Sequence, residues 1–496
     1  MYSMKTLYEA IIKSENVRET LVELKQRLKN PTEKAAFEKV TTGKYDFLMK
    51  LLVEQDPKIR KHAAAVLGQL QCQEALDVLW DAYETEETRF VKADYIKAMS
   101  NLNCKEYLPQ LRLKLQTLTE LEPKADEKKH VLTEIGEIQK ILLSQDKVEK
   151  HVFKGYYLQN EVILTTMPAF RTITAKQIEN APVALVGAGV KVKTADLDRI
   201  LKIRTFKEIL FVLHGVSALD PHPEAITTGL MDSDLMETIQ KNHEGKGPFY
   251  FRLGFVGDLS MEMKANLAKK TAQLLEAATG RMLINSASHY EIEIRLTLNK
   301  EGKLYPCLKF YTLKDHRFAY RKYHVSTGMQ PYVAAGLVKL AEEYTKEYAQ
   351  VLDPVCGTGT LLMERNYLKS TRNSYGIDIF GEAIEKARAN TKIANMQINY
   401  INRNFKDFTH EYLFDEILAD MPQKGALSYD ELSVLYQKLF DRAQEWLNPG
   451  GILLLYSTEV GFVKKQIRIH EKFKLEREFC ISEKQKQYFY VIRYYA

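Results

Sequence analysis

The chain has 496 residues, 45% apolar and 27% charged, which suits a globular protein of about three domains. A net charge of +6 with a pI near 8.7 is mildly basic, compatible with an RNA partner and with an ordinary enzyme alike. Five scattered cysteines without a Cys-x-x-Cys pair argue against a disulfide framework or zinc site. Charges throughout Met1 to Lys25 argue against a signal peptide, and no run approaches the roughly 18 apolar residues of a membrane span, so a cytoplasmic protein without a membrane partner is expected.

Residues 1 to 148 predict an all-helical region, with Leu7, Ile11, Leu21, Leu24 and Leu28 at helical spacing. The stretches KHAAAVLGQLQCQEAL and ADYIKAMSNLNCKEYL then repeat at an offset of 32 residues. That offset pairs Leu67 with Met99, Leu70 with Leu102, Cys72 with Cys104, Glu74 with Glu106 and Leu76 with Leu108. A period of this size predicts stacked helix pairs. With Asp56-Pro57 opening the first unit, the pattern resembles short HEAT-like repeats, residues 1 to 50 forming a degenerate capping repeat. Such a stack offers a docking surface for a protein or RNA partner, against the plainer reading of a packing scaffold.

Charges cluster between about 120 and 150, as expected of an exposed last helix and a linker. From Val152 the pattern changes to mixed strands and helices. VILTTM reads as a strand, TADLDRILKIRTFKEILFVL as helix then strand, and Leu230 to Lys241 and Met261 to Ala278 as helices. Ile292, Ile294, Leu296 and Leu298 alternate with polar residues, which marks a strand with one buried face, and CLKFYTL supplies another. Lys309, Lys314, Arg317, Tyr320, Arg321, Lys322 and Tyr323 interleave cations with aromatics, as RNA recognition requires. The alternative is a solvated charged face at a domain junction.

VLDPVCGTGTLLM, residues 351 to 363, reads as strand, glycine loop and helix, the arrangement that brings a backbone close to a nucleotide-like ligand. A lone Gly-x-Gly can be an ordinary turn; the order of the strand ends beyond it makes the case. A second strand ends at Asp378, 19 residues beyond Gly359, where a carboxylate can accept both hydroxyl hydrogens of a ribose. A third ends at Asn404 and Phe405, a fourth at Asp420 to Gln423, and a fifth begins after the turn Asn448-Pro449-Gly450-Gly451. Alternating strands and helices predict a doubly wound parallel sheet with its ligands at the carboxyl ends of the strands. An NAD-binding loop would carry a third glycine where this chain has Leu362.

DPVCGTGTLLME instead resembles the first motif of class I S-adenosylmethionine (SAM) methyltransferases, in the form found in RNA methyltransferases that carry a THUMP domain. Many of those modify the exocyclic N2 of guanine. HRFAYRKYHVSTGMQPYVAAGLVKLA, LKIRTFKEILFVL and INSASHYEIEIRLTL are also similar to segments of that family. The resemblance covers roughly residues 152 to 496 and is specific in the glycine loop and in the segment leading to it. It implies a three-part fold: an N-terminal α-solenoid outside the usual family plan, a central α+β module, and a Rossmann-like class I methyltransferase domain over 325 to 496. The central module, 152 to 315, would hold a ferredoxin-like piece to about 200 and a THUMP-like piece beyond it. The implied partner is structured RNA, tRNA or rRNA.

In that resemblance Asp353, Cys356, Gly357 and Gly359 hold the methionine part of SAM, Cys356 as a small packing residue of the loop rather than a nucleophile. Asp378 takes the ribose. Asn404, where the family commonly has an acid, accepts from the adenine amine, and the N–H of Phe405 completes the contact. The fourth motif commonly reads Asp/Asn-Pro-Pro-Tyr/Phe; here it is Asp420-Met421-Pro422-Gln423. Asp420 and the Pro422 carbonyl can accept the two N–H bonds of an exocyclic amine, and orientation of that kind lowers a barrier by about 7 kcal/mol or more in ideal cases. Gln423 stands where an aromatic would stack on the base. Either Tyr429 or Phe408 stacks instead, or the target differs, or catalysis is impaired and the chain is an RNA-binding assembly factor that retains SAM while the repeats recruit a partner. Methylation of a protein side-chain amide is a third reading. No metal is expected, because the sulfonium already carries an activated methyl.

Overall fold

The structure, a computed structural model, describes residues 3–121, 124, 126–145, 151–245, 247–423, 425 and 427–496. The linker expected near residue 148 lies largely outside the described residues. The chain divides into two compact units, Met1–Lys150 with Gly245–Gly247, and His151–Glu244 with Pro248–Ala496. No helix among the described residues is long and apolar enough to cross a membrane.

The first unit is helical: α1 (Met4–Ile12), α2 (Val17–Arg27), α3 (Pro31–Thr41), α4 (Asp46–Lys50), α5 (Pro57–Leu70), α6 (Leu76–Thr85), α7 (Arg89–Met99), α8 (Leu108–Glu120) and α9 (Lys128–Gln145). Asp56 opens α5 by accepting the Lys58 N–H at 2.8 Å, with Pro57 at the first helical position, and Gln71 closes it in the left-handed region. The 32-residue period works as a burial code. All four apolar pairs, Leu67/Met99, Leu70/Leu102, Cys72/Cys104 and Leu76/Leu108, are buried, whereas Glu74 and Glu106 are both exposed. Successive repeats are also tied by Gln73 and Asn103, which exchange hydrogen bonds of 3.0 and 2.9 Å. Gly68 is needed because a Cβ there would lie 2.7 Å from the Cα of Ala98, so α5 and α7 touch backbone to backbone.

The second unit opens with β1 (Val152–Phe153), β2 (Asn160–Thr165), α10 (Arg171–Ala175), β3 (Val183–Val186), β4 (Gly189–Thr194), α11 (Leu197–Ile200) and β5 (Ile209–Val212). It continues with α12 (Pro223–Met231), α13 (Leu235–Lys241), β6 (His243–Glu244), β7 (Phe249–Val256), α14 (Met261–Ala278), β8 (Leu283–Asn285), β9 (Ile292–Leu298) and β10 (Leu304–Phe310). Eight of these strands form one sheet in the order β3-β4-β2-β5-β10-β9-β7-β8, while β1 and β6 pair separately. Strand β2 pairs with β4 and β5, and β5 with β10, so the strands expected on either side of residue 200 are bonded into a single sheet.

The segment from residue 315 to 324 corrects the expected RNA-binding cluster. Arg317 is buried, its guanidinium donating to the carbonyls of Ile203 and Phe206 at 2.9 Å and to Asp315, and lying 3.5 Å from the Phe206 ring centroid. Tyr320 is buried too and donates to Glu364 at 2.6 Å. Lys309 pairs with Glu208 at 2.6 Å, and Arg321 donates to the Gly328 carbonyl. Only Lys314, Lys322 and Tyr323 of the seven are exposed. Interleaved cations and aromatics here make cation–π and ion-pair packing inside the protein, a use that composition does not distinguish from RNA binding.

The remaining elements are α15 (Pro331–Leu340), β11 (Ala349–Asp353), α16 (Thr360–Leu368), β12 (Thr371–Asp378), α17 (Gly381–Ile393), β13 (Asn399–Asn402), β14 (Phe414–Asp420), α18 (Tyr429–Trp446), β15 (Leu447–Ser457), α19 (Val460–Ile469), β16 (Phe473–Ser482) and β17 (Gln487–Tyr494). They build a sheet ordered β13-β12-β11-β14-β15-β17-β16, parallel from β13 to β15 and antiparallel at β17. The order reverses between β11 and β14, the switch point where such sheets bind ligands. Phe170, just before α10, packs into this domain's core: a Cβ on Gly336 would meet its ring at 2.4 Å. Arg204 forms a bidentate pair of 2.7 and 2.8 Å with Glu364 on α16, tying the eight-stranded sheet's region to the helix after the glycine loop.

Candidate functional site

The residues singled out in sequence converge at the carboxyl ends of β11, β12, β13 and β14. Strand β11 ends in Asp353, which is buried and accepts the Val355 N–H at 3.0 Å. The loop then turns through Gly357 and Gly359, at φ of +53° and +76°. A Cβ on Gly359 would strike the Tyr400 hydroxyl at 2.2 Å, so glycine is forced there by packing; at Gly357 the same position meets nothing within 4 Å. Gly357 is thus the open side of the loop and Gly359 the packed side. The Gly357 N–H donates to Asp378 Oδ2 at 2.8 Å, while Asp378 Oδ1 accepts from Phe380 N–H at 2.9 Å. The tip of β12 therefore holds the glycine loop in place, and each carboxylate oxygen keeps a lone pair for a ligand hydroxyl.

Cys356 lies apart from that open side. Its sulfur is buried in the core formed with Tyr400, and burial together with the neighbouring Asp353 and Asp378 pushes its thiol well up. The sulfur packs in the core, and the Cys356 N–H donates to the Ile377 carbonyl at 2.9 Å and fixes the loop. Asn404 is exposed, and its side-chain oxygen accepts the Lys406 N–H at 3.1 Å, capping the short 3₁₀ turn Phe405–Asp407. The Phe405 side chain is buried, 6.3 Å from Trp446, which leaves its backbone for contact.

Asp420 ends β14 across the switch point from Asp353. It is half-buried, and loss of hydration pushes its carboxyl up to about 7. Among the described residues no cation or hydrogen-bond donor partners it. Burial first, then the Asp420 and Asp378 carboxylates, push Asp353 well up as well. The next residue, Met421, is buried and its N–H donates to the Tyr456 carbonyl at 3.2 Å; Pro422 is half-buried and Gln423 exposed. Of the two aromatics named as substitutes for the missing stacking residue, Phe408 is excluded: it is buried against Trp446. Tyr429 is 67% exposed.

These residues fit SAM. Among the described residues no cation pairs with Asp353, Asp378 or Asp420, and the last two bear on Asp353, so a ligand carrying an ammonium and a sulfonium would relieve the site. The open side of Gly357 admits close approach of a ligand to backbone N–H groups. Sequence reasoning passed over Ile379 and Phe380, which come directly after Asp378 and stay 58% and 67% exposed, a flat apolar surface suited to a base. Their signal was two large apolar residues placed after a strand tip rather than within the strand. Tyr400, whose hydroxyl packs on Gly359, was passed over too.

Residues 319–482 match the family model described as an RMKL-like methyltransferase domain, and residues 5–100 match that for HEAT repeats. Among solved structures, TrmN from Thermus thermophilus is similar at 17% identity over 67% of this chain and 99% of its own, with a TM-score of 0.51. A protein named a "predicted N6-adenine-specific DNA methylase" from Listeria monocytogenes matches at 15% identity over 67% of this chain and 96% of its own, TM-score 0.51. SMU.472, solved as a complex with SAH, matches at 14% over 68% and 98%, TM-score 0.50. Identities this low establish likeness of fold. The helices within residues 5–100 are HEAT repeats, and residues 319–482 form a methyltransferase domain whose cofactor is S-adenosylmethionine.

Proposed function

We propose that the chain methylates an exocyclic amine of a base in structured RNA, guanine N2 of tRNA or rRNA foremost. The observation that carries this reading is Asp420, a carboxylate without a partner among the described residues, beside the glycine loop and across the switch point from Asp353. An exocyclic amine is a poor nucleophile because its lone pair is delocalised into the ring. Asp420 and the Pro422 carbonyl accept its two N–H bonds and aim the nitrogen, a task of position rather than of proton abstraction at the outset. The cofactor, when bound, supplies an activated methyl. Asp378, Gly357 and the exposed Ile379–Phe380 pair bind its nucleoside, and Asp353 answers its positive charge. The Listeria protein is named for methylation of adenine N6, an amine of the same chemical class.

In this reading the eight-stranded sheet with its helices is the THUMP-like RNA-binding module and the HEAT repeats dock a partner. Gln423 favours a second reading, a SAM-binding assembly factor without turnover, because an exposed amide offers little stacking surface. Mass spectrometry of nucleosides in total tRNA and rRNA, with and without the gene, separates the two. Loss of one N2-methylguanosine, restored by wild type and not by Asp420→Ala, is the expected result. An unchanged nucleoside profile, with SAM bound by the pure protein, leaves the assembly factor.

A further inference from the structure

Strand β15 ends beside β14, and its last tyrosine belongs to none of the motifs at the strand tips. Asp420 and Tyr456 are registered partners in the parallel ladder. Two residues earlier, Leu418 and Leu454 both point into the core shared with α15 and α16, so by strand alternation Asp420 and Tyr456 project from the same face of the sheet. Asp353 does likewise, two residues beyond Val351 on β11. The strand tips thus present Asp420 and Tyr456 side by side, with Asp353 on the same face across the switch point and two residues deeper along its strand.

The Tyr456 hydroxyl, like the Asp420 carboxylate, has no hydrogen-bond partner among the described residues. Its surroundings are otherwise those of a core residue: it is 6% exposed. Burial, then the charge of Asp420, then the phenol of Tyr332 push its hydroxyl up. Two other buried phenols of this domain are satisfied, Tyr436 reaching Ser457 at 2.5 Å and Tyr320 reaching Glu364 at 2.6 Å, while that of Tyr490 on β17 has no partner among the described residues and, unlike Tyr456, faces no carboxylate of the strand tips. Neither the Tyr456 hydroxyl nor the Asp420 carboxylate is sealed from solvent, so an open donor stands next to an open acceptor where a ligand can reach both. A ligand with an acceptor beside a donor fills both at once.

We infer that Tyr456 is a substrate-binding residue that selects the target base, its hydroxyl donating to the acceptor atom next to the amine that Asp420 holds. The ring edges that match this pair carry an amine beside an acceptor nitrogen: guanine N2 beside N3, adenine N6 beside N1, cytosine N4 beside N3. The two contacts fix rotation of the base in its plane, which a single contact to the amine does not. They also supply part of the grip that an aromatic at position 423 would otherwise give. The inference rests on the reading of the site as an amine methyltransferase.

The test compares wild type with Tyr456→Phe, which keeps the ring and removes the hydroxyl. Methyl transfer from radiolabelled SAM to RNA from cells lacking the gene is measured beside SAM affinity by calorimetry. The expected result is a fall of about 10-fold or more in kcat/KM for RNA with SAM affinity unchanged. Tyr456→Phe at the wild-type rate overturns the inference and leaves the proposed function standing. A parallel loss of SAM affinity overturns it as well, since Tyr456 would then be supporting the cofactor site. No transfer by wild type to any RNA removes the proposed function, and the inference with it.

Discussion

The two ends of strand β14 carry carboxylates in opposite circumstances. Near its start, Glu416 is fully buried and bound to the equally buried Arg365 by two bonds of 2.6 and 2.8 Å, with the Lys346 N–H as a third donor. At its end, Asp420 has no cation and no donor among the described residues. The HEAT repeats adopt the first pattern: buried Glu86 is held by Arg60, Tyr95 and the Thr88 N–H. Where the fold is only being held together, a buried charge is matched by a cation; at the carboxyl ends of the methyltransferase strands Asp353 and Asp378 hold backbone N–H groups alone and Asp420 has neither cation nor donor among the described residues. Folding alone would not select such a cluster, because burial disfavours the charge on Asp420 and Asp353, and Asp353 also feels the carboxylates of Asp420 and Asp378.

The sharpest way to test this contrast is to break the matched end. Arg365→Ala leaves Glu416 buried without its partner and strips donors from the Lys346 and Lys369 carbonyls. We expect a loss of about 3–5 kcal/mol in denaturant unfolding, enough to abolish a folded domain in many backgrounds. A shift below about 1 kcal/mol would show that the pair is not structural.

The unmatched end should behave in the opposite sense. Asp420→Asn is expected to reduce methyl transfer by about 100-fold or more while leaving the fold intact. Its folded carboxyl is raised to about 7 from an ordinary value near 4. Stability contributed by the protonated form is therefore full below about pH 4 and is lost as pH rises through 7. The Asn variant escapes that loss, so its melting temperature should overtake wild type between pH 5 and 8. Transfer by wild type should rise with pH through about 7 in kcat/KM, and at lower pH in kcat, because the cationic cofactor favours the ionised carboxylate. Flat profiles would remove Asp420 from the chemistry.

Much of this was legible in sequence, and for definite reasons. The repeat offset of 32 was readable because burial repeats with it, from Leu67/Met99 to Leu76/Leu108. The glycine loop, Asp378 and Asp420 were readable because strand tips are marked by an apolar run that stops at a polar residue. What was illegible depended on packing between distant segments. Nothing local to Arg317 announces that Ile203 and Phe206, more than 100 residues earlier, wrap its guanidinium. Cys356 was readable as a packing residue, but nothing local to it names Tyr400 and Gly376, which close over its sulfur. Tyr456 was missed because register, not sequence, sets it beside Asp420.

Within the unmatched cluster Asp378 is expected to matter less than Asp420 and differently, since both of its oxygens already hold backbone N–H groups. Asp378→Ala removes a ribose acceptor and frees the Gly357 N–H. SAM affinity should fall about 10- to 100-fold by calorimetry. An unchanged affinity would sink the ribose assignment and leave Asp378 as a brace for the loop.

The smallest effect is expected at Gln423, where it decides how the target base is held. A base stacked on an aromatic gains about 1–3 kcal/mol relative to one without it. If the site lacks that stacking, Gln423→Phe should raise kcat/KM for RNA up to about 10-fold, because position 423 is exposed and accepts a larger side chain without disturbing the core. If Tyr429 or the Tyr332–Tyr456 pair already supplies the grip, the added ring has no free base face to cover and the rate stays within about twofold of wild type. Combining Gln423→Phe with Tyr456→Phe separates these cases. Additive changes mean that the two residues contact the base independently, whereas a gain that emerges only after the hydroxyl is removed means that Tyr456 had been performing the task the motif assigns to its fourth position.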